Sequence, residues 1–237
     1  MEALREITKS NLGITLSKEQ IDQFSLFEKL LLKWNQKYNL TSIIDPYEIL
    51  IKHFYDSLTC FSMFPANESF SLIDIGTGAG FPGIPLKIVN PLIHLSLAES
   101  VSKKADFCQL AIDELGIKQT QVLPLRAETI GQDISHREKY DRAVARAVAP
   151  LTILVEYLLP LVKVGGEALA QKGNAAADEI ENAQKAIHVL GGKLGRITEI
   201  VLSNNMGNRT LIEIKKVKPT PTMYPRRPGT PKKNPLV

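Results

Sequence analysis

The sequence predicts an open α/β fold: a Rossmann-like, mostly parallel sheet that ends in an antiparallel hairpin and carries a helical N-terminal cap. Three observations predict it. From Ser71 onward short apolar runs alternate with helical stretches, the pattern of successive βα units. A glycine cluster, Gly76-Thr77-Gly78-Ala79-Gly80-Phe81-Pro82-Gly83, stands directly after the first of those runs. Before Ser71 the apolar residues recur every three or four positions instead, as they do in amphipathic helices.

Taken in order, Ser17 and Gln20 form a capping box ahead of a helix reaching Asn39, on which Ile21, Phe24, Phe27, Leu31, Trp34 and Tyr38 share one face. Asp45 caps a second helix, with Pro46 at its first position and Glu48 in the capping-box place, running to about Met63. Residues 1–66 are therefore read as the helical cap, with a hinge at 65–68. Strands are expected at 71–75, 94–98, 121–124, 141–145 and 167–170, and helices after Gly83, Val101, Pro150 and Ala175. Two further β-rich runs, 197–202 and 210–214, are joined by turn-forming residues and read as a terminal hairpin, which completes the domain 67–218. Beyond it lies the tail 219–237, where Pro219, Pro221, Pro225, Pro228 and Pro231, together with Gly229, favour an extended segment.

Composition narrows the function classes. The 237 residues are 44% hydrophobic and 23% charged, ordinary for a globular protein, and no apolar run is long enough to span a membrane. The N-terminus has Glu2, Arg5, Glu6 and Lys9 where a secretory signal would be apolar, so a cytoplasmic protein is expected. Cys60 and Cys108 lie in apolar helical patterns without a Cys or His neighbour, which predicts buried thiols and no metal site. Of the 29 basic residues seven lie from Lys215 onward, where no acidic residue occurs, leaving 22 against 25 acids in the body. A tail of +7 on a body of about −3 is either a solvated terminus or an arm that seeks phosphates.

The glycine cluster marks the carboxyl edge of the first strand, where an open sheet turns sharply and lets a ligand approach the backbone. Gly78, Gly80 and Gly83 satisfy the dinucleotide spacing, so that motif alone is ambiguous. Asp74 favours S-adenosylmethionine, because a carboxylate two residues before Gly76 suits an ammonium and a sulfonium better than a pyrophosphate. Pro82 and Pro85 point the same way, since a phosphate turn needs backbone N–H groups that proline lacks. Glu99, after the second strand, is placed to accept from ribose hydroxyls in either cofactor.

The stretch Asp74-Ile75-Gly76-Thr77-Gly78-Ala79-Gly80-Phe81-Pro82-Gly83-Ile84-Pro85-Leu86 resembles the bacterial RsmG family, also called glucose-inhibited division protein B. The resemblance extends over Asn39-Leu40-Thr41, His53-Phe54-Tyr55-Asp56-Ser57, Ser102-Lys103-Lys104, Arg126-Ala127-Glu128, 143–149, Lys172-Gly173 and 224–231. It implies a class I S-adenosylmethionine-dependent methyltransferase that modifies N7 of a guanine in the decoding-region loop of 16S rRNA. Its partner would be that rRNA or the small ribosomal subunit, and the enzyme a monomer. By the family pattern Gly76, Gly78 and Phe81 would line the cofactor pocket, Glu99, Ser100 and Val101 would flank the ribose and Ala127 and Glu128 the adenine, and Arg146 would reach the cofactor from the fourth strand.

Guanine N7 has an in-plane lone pair and no proton, so no side chain is expected to serve as an obligatory base. Arg142, Lys172 and the tail residues Arg226, Arg227, Lys232 and Lys233 are the candidates for holding RNA. His53 and Asp56, one turn apart, are candidates for closing over the site or for a packed surface pair. The rival reading is a small-molecule S-adenosylmethionine-dependent methyltransferase, which would not need the basic tail.

Overall fold

The computed structural model describes residues 1–173 and 176–236. The chain begins with α1 (Glu2–Leu12) and α2 (Lys18–Tyr38), followed by a composite helix: α3 (Pro46–Ile49), a π-helical turn Leu50–Tyr55, α4 (Asp56–Leu58) and a 3₁₀ turn Thr59–Ser62. The α/β series is β1 (Ser71–Ile75), α5 (Gly83–Val89), β2 (His94–Ala98), α6 (Ser102–Glu114), β3 (Thr120–Leu123), α7 (Ala127–Gln132), β4 (Tyr140–Arg146), α8 (Leu151–Leu158), β5 (Val162–Lys172) and α9 (Ala176–Val189). The chain closes with β6 (Gly192–Val201), β7 (Asn208–Lys216) and the short α10 (Thr230–Lys233).

The described strands form one sheet in the order β3-β2-β1-β4-β5-β7-β6. Strands β1 to β5 are parallel, and β7 runs antiparallel to both β5 and β6. The order reverses between β1 and β4, so a crevice opens at the carboxyl ends of those two strands. Alternation along the strands builds two apolar layers. Leu72, Leu97, Val144 and Leu169 face the cap helices, α5 and α6, whereas Ile73, Ile75, Ala143 and Ala145 face α8 and α9.

The predicted caps form. Ser17 and Gln20 make a reciprocal capping box on α2, and the Asp45 side chain accepts from Glu48 N–H on α3. Phe24, Phe27 and Leu31 on α2 are fully buried, each contributing about 1.5–3 kcal/mol by removal from water.

Three expectations are corrected. The second helix is not uniform, because the π turn inserts an extra residue per turn and redirects the side chains after His53. Helices α1, α7 and α10 were not anticipated; α1 ends on Gly13 at φ 68, a left-handed C-cap that glycine adopts without strain. Finally, the segment after Pro219 is not an arm held away from the body, for Thr220, Tyr224 and Pro231 are buried against it.

Candidate functional site at the switch point

The loop after β1 is built by its backbone geometry. Gly76, Gly78 and Gly80 all have positive φ, a conformation that costs other residues energy. A Cβ on Gly76 would also come within 2.8 Å of Val148, across the crevice. Asp74 lies beneath the loop, fully buried, with Oδ2 accepting from Thr77 Oγ1 (2.6 Å) and from Gly83 N–H (2.8 Å). The free N–H at the start of α5, which a phosphate loop would offer to its ligand, is thus spent on Asp74. Its other oxygen, Oδ1, is buried without a partner, and burial pushes the carboxyl up to about 6. Glu99 ties the loop to the next turn, one oxygen accepting from Gly78 N–H (3.0 Å) and the other from Val101 N–H (2.8 Å).

Two cavities flank this loop. On one side Gly76, Ser100, Ala127 and Glu128, four of the predicted residues, line a pocket with Val148 and Tyr157. The last two were missed: Val148 lies in the matched stretch 143–149 but was given no contact, and only the packing of α8 beside α7 brings Tyr157 there. On the other side Lys52, His53, Asp56, Arg146, Gln171, Lys172 and Arg209 line a second, charged pocket.

Asp56 is the centre of that second pocket, at 1% exposure. Its carboxylate accepts from Arg146 Nη1 (3.1 Å), Arg209 Nε (3.0 Å) and Gln171 Nε2 (2.7 Å), joining the ends of β4, β7 and β5. Burial raises its pKa, and the two guanidinium groups oppose the rise. His53 stacks on Phe81, ring centroids 4.7 Å apart, and burial followed by the Arg146 charge lowers its pKa to about 3. The ring is therefore neutral at physiological pH: Nδ1 accepts from Arg146 Nη2 (3.3 Å), which leaves Nε2–H to donate to Thr41 Oγ1 (2.8 Å). Arg146 also lies over the Phe81 ring, 5.2 Å from its centroid. His53 and Asp56 are thus built into the sheet edge and do not form a surface pair.

Several predicted RNA contacts are placed elsewhere. Arg142 is a correction: it sits near the start of β4, opposite Leu72, bonded to Glu167 (2.6 Å) and stacked over Phe70, away from the crevice. Strand position decides this, since only residues at the carboxyl end reach the switch point. Arg226 is also turned inward, its guanidinium on the fully buried Glu156. Lys172 lines the charged pocket, with Nζ bonded to Ala149 O and to Glu179 Oε2, both at 2.8 Å. Arg227, Lys232 and Lys233 are exposed. Arg209 and Gln171, which sequence reasoning did not single out, owe their places to the register Lys172↔Thr210 between β5 and β7. That register is set by packing and leaves no local signal.

A family model described as rRNA small subunit methyltransferase G matches residues 20–209. Among curated proteins, the ribosomal RNA small subunit methyltransferase G of Alkaliphilus metalliredigens is 48% identical over 225 residues, covering 95% of this chain and 94% of its own. That of Pelotomaculum thermopropionicum is 46% identical over 239 residues, covering 100% of both. A solved SAM-dependent O-methyltransferase from Thermotoga maritima superposes with a TM-score of 0.54 at 14% identity, over 81% of this chain and 72% of that one, a likeness of fold.

Proposed function

Since the chain belongs to the rRNA small subunit methyltransferase G family, we propose that it transfers a methyl group from S-adenosylmethionine to N7 of a guanine in the decoding-region loop of 16S rRNA. The observation that carries the reading is the juxtaposition, at one sheet edge, of an acid-floored glycine loop and a pocket rimmed by Lys52, Arg146, Lys172 and Arg209. An anionic polynucleotide and a cationic methyl donor call for opposite charges a few residues apart, and that is the arrangement here.

The residues fit the donor. The unpartnered Oδ1 of Asp74 is an acceptor suited to a cation, Glu99 stands at the end of β2 for ribose hydroxyls, and Ala127 with Glu128 forms a wall for the adenine. When bound, S-adenosylmethionine supplies an electrophilic methyl group on its sulfonium. The chain's own work is to hold the base in line, for which proximity alone is worth about 7–11 kcal/mol. Neither polar residue beside Arg146 is disposed to take a proton: His53 is hydrogen-bonded at both nitrogens, and the Asp56 carboxylate is committed to three donors. That suits N7, whose attack releases none. Arg209, Lys172 and the exposed Arg227, Lys232 and Lys233 would hold RNA phosphates, the substrate being 16S rRNA or the small ribosomal subunit. The base must leave its stack to reach the pocket. A cytoplasmic, monomeric enzyme without metal is the corresponding reading.

Mass spectrometry of rRNA from cells lacking the gene tests this: one 7-methylguanosine is expected to disappear from 16S rRNA, and its persistence would refute the proposal. A second test uses Asp74. Its ionised form is the one that favours a cation, so donor affinity is expected to hold above about pH 6 and to weaken as pH falls, approaching tenfold per unit. Asp74→Asn should flatten that profile in calorimetric titrations. His53 stays neutral down to about 3 and does not contribute. An affinity indifferent to pH in the wild-type protein would remove Asp74 from the donor site.

A further inference from the structure

The segment after β7 is strapped to the two helices that wall the adenine-side pocket. Arg137 donates to Thr220 O (2.8 Å) and Tyr224 O (2.6 Å), and Gln132 on α7 to Pro225 O (2.6 Å). Gly131 on α7 is so close to the strap that a Cβ there would meet Pro225 at 2.7 Å. Glu156 on α8, at 0% exposure, is then gripped by Arg226: the backbone N–H and Nε donate to Oε1 (2.8 and 2.9 Å), and Nη2 to Oε2 (2.6 Å). Three residues further on, Gly229 N–H donates to Oε1 of Glu128 (2.9 Å), the buried carboxylate in the pocket wall. Tyr157, next to Glu156, lines the same pocket.

We infer that Arg226 is a positioning residue for the methyl donor: anchored on Glu156, it sets the strap so that Gly229 holds Glu128, and α8 holds Tyr157, where the adenine binds. This rests on the proposed function, in which that pocket takes the adenosyl part of S-adenosylmethionine. A forked pair on a fully buried acid fixes orientation in a way that a phosphate-seeking side chain on the surface does not. The cations within residues 219–237 thus divide into an inward anchor, Arg226, and the outward Arg227, Lys232 and Lys233, while Lys216 on β7 is buried on Glu138.

The test is calorimetric titration of the full-length protein with S-adenosylmethionine, together with KM for donor and for RNA, in wild type, Arg226→Met, Arg226→Lys and Glu156→Gln. Arg226→Met is expected to raise the donor Kd and KM on the order of tenfold, with RNA KM within about twofold of wild type. Arg226→Lys, which keeps the charge but not the fork, should fall between, and Glu156→Gln, which keeps the volume, should follow Arg226→Met. A raised RNA KM with unchanged donor Kd would make Arg226 an RNA contact and overturn the inference. So would a lowered melting temperature with unchanged donor Kd in the folded variants. Should Arg226→Met not fold, the same readings on Arg226→Lys and Glu156→Gln decide. A wild-type protein that takes up no donor would instead refute the proposed function, and this inference with it.

Discussion

Replacing Asp56 with alanine is expected to cost about 3–5 kcal/mol of stability and to reduce methyl transfer well beyond what the stability loss explains. Removing the carboxylate strands the Arg146 and Arg209 guanidinium groups and the Gln171 amide, all of which donate to it at an edge that is largely closed to water. A buried ion pair need not stabilise a protein relative to apolar residues of equal volume, but deleting one partner leaves the other charges uncompensated. The large number therefore measures the stranded arginines, not the worth of the pair. Asp56→Asn keeps the shape and one acceptor oxygen, so it should destabilise less while still loosening both arginines. Urea unfolding and single-turnover transfer rates separate the two effects. An Asp56→Ala protein within about 1 kcal/mol of wild type, the ceiling for an exposed pair, would show that the carboxylate is solvated and not a hub.

The cluster explains why arginines, and not lysines, stand at the ends of β4 and β7. A guanidinium can spend some donors on Asp56, on Lys52 O and on His53 Nδ1 and still present the others in a fixed plane. Arg146 is held in this way on four sides, counting the Phe81 ring. A preset cation at the switch point need not reorganise when a charged group arrives, which is the advantage the proposed function would draw from it.

Much of this was legible in the sequence where the signal was local. The alternation Leu72, Ile73, Asp74, Ile75 followed by glycines marked β1 and its loop, because a strand buried on both faces and a turn with positive φ each leave a compositional trace. The capping residues Ser17, Gln20 and Asp45 marked helix starts for the same reason. The Asp56 cluster was not legible, since the side chains that donate to Asp56 lie 90 to 153 positions from it in the chain and a π turn alters the face that Asp56 presents. Arg142 misled because a strand's residues look alike from end to end, whereas only the carboxyl end meets the crevice. The tail misled because prolines and cations read as a solvated arm. A clue was nevertheless present: Glu156 is the one acid within the apolar helix Leu151–Leu158, and a lone carboxylate on such a face demands a buried partner.

The largest effect on the cap should come from Phe81→Ala. This side chain, nearly buried, stacks on Phe27 (5.2 Å) of α2 and on His53 (4.7 Å), approaches Phe54 (6.1 Å), and underlies Arg146. It joins the glycine loop to the cap helices, so its loss opens a cavity between them at a cost of about 3–5 kcal/mol, measurable by denaturant unfolding. Donor binding should weaken as well, because the loop that carries Gly76 and Gly78 is then held mainly through Asp74 and Glu99. Phe81→Leu separates volume from aromaticity: it refills most of the space and is expected to cost less than about 1.5 kcal/mol, yet it removes the stack on His53 and the π-face under Arg146. If the ring orients Arg146, Phe81→Leu loses transfer rate out of proportion to its stability. Wild-type rates in that variant would mean that the ring serves only to fill space, leaving Asp56 and His53 to aim the arginine.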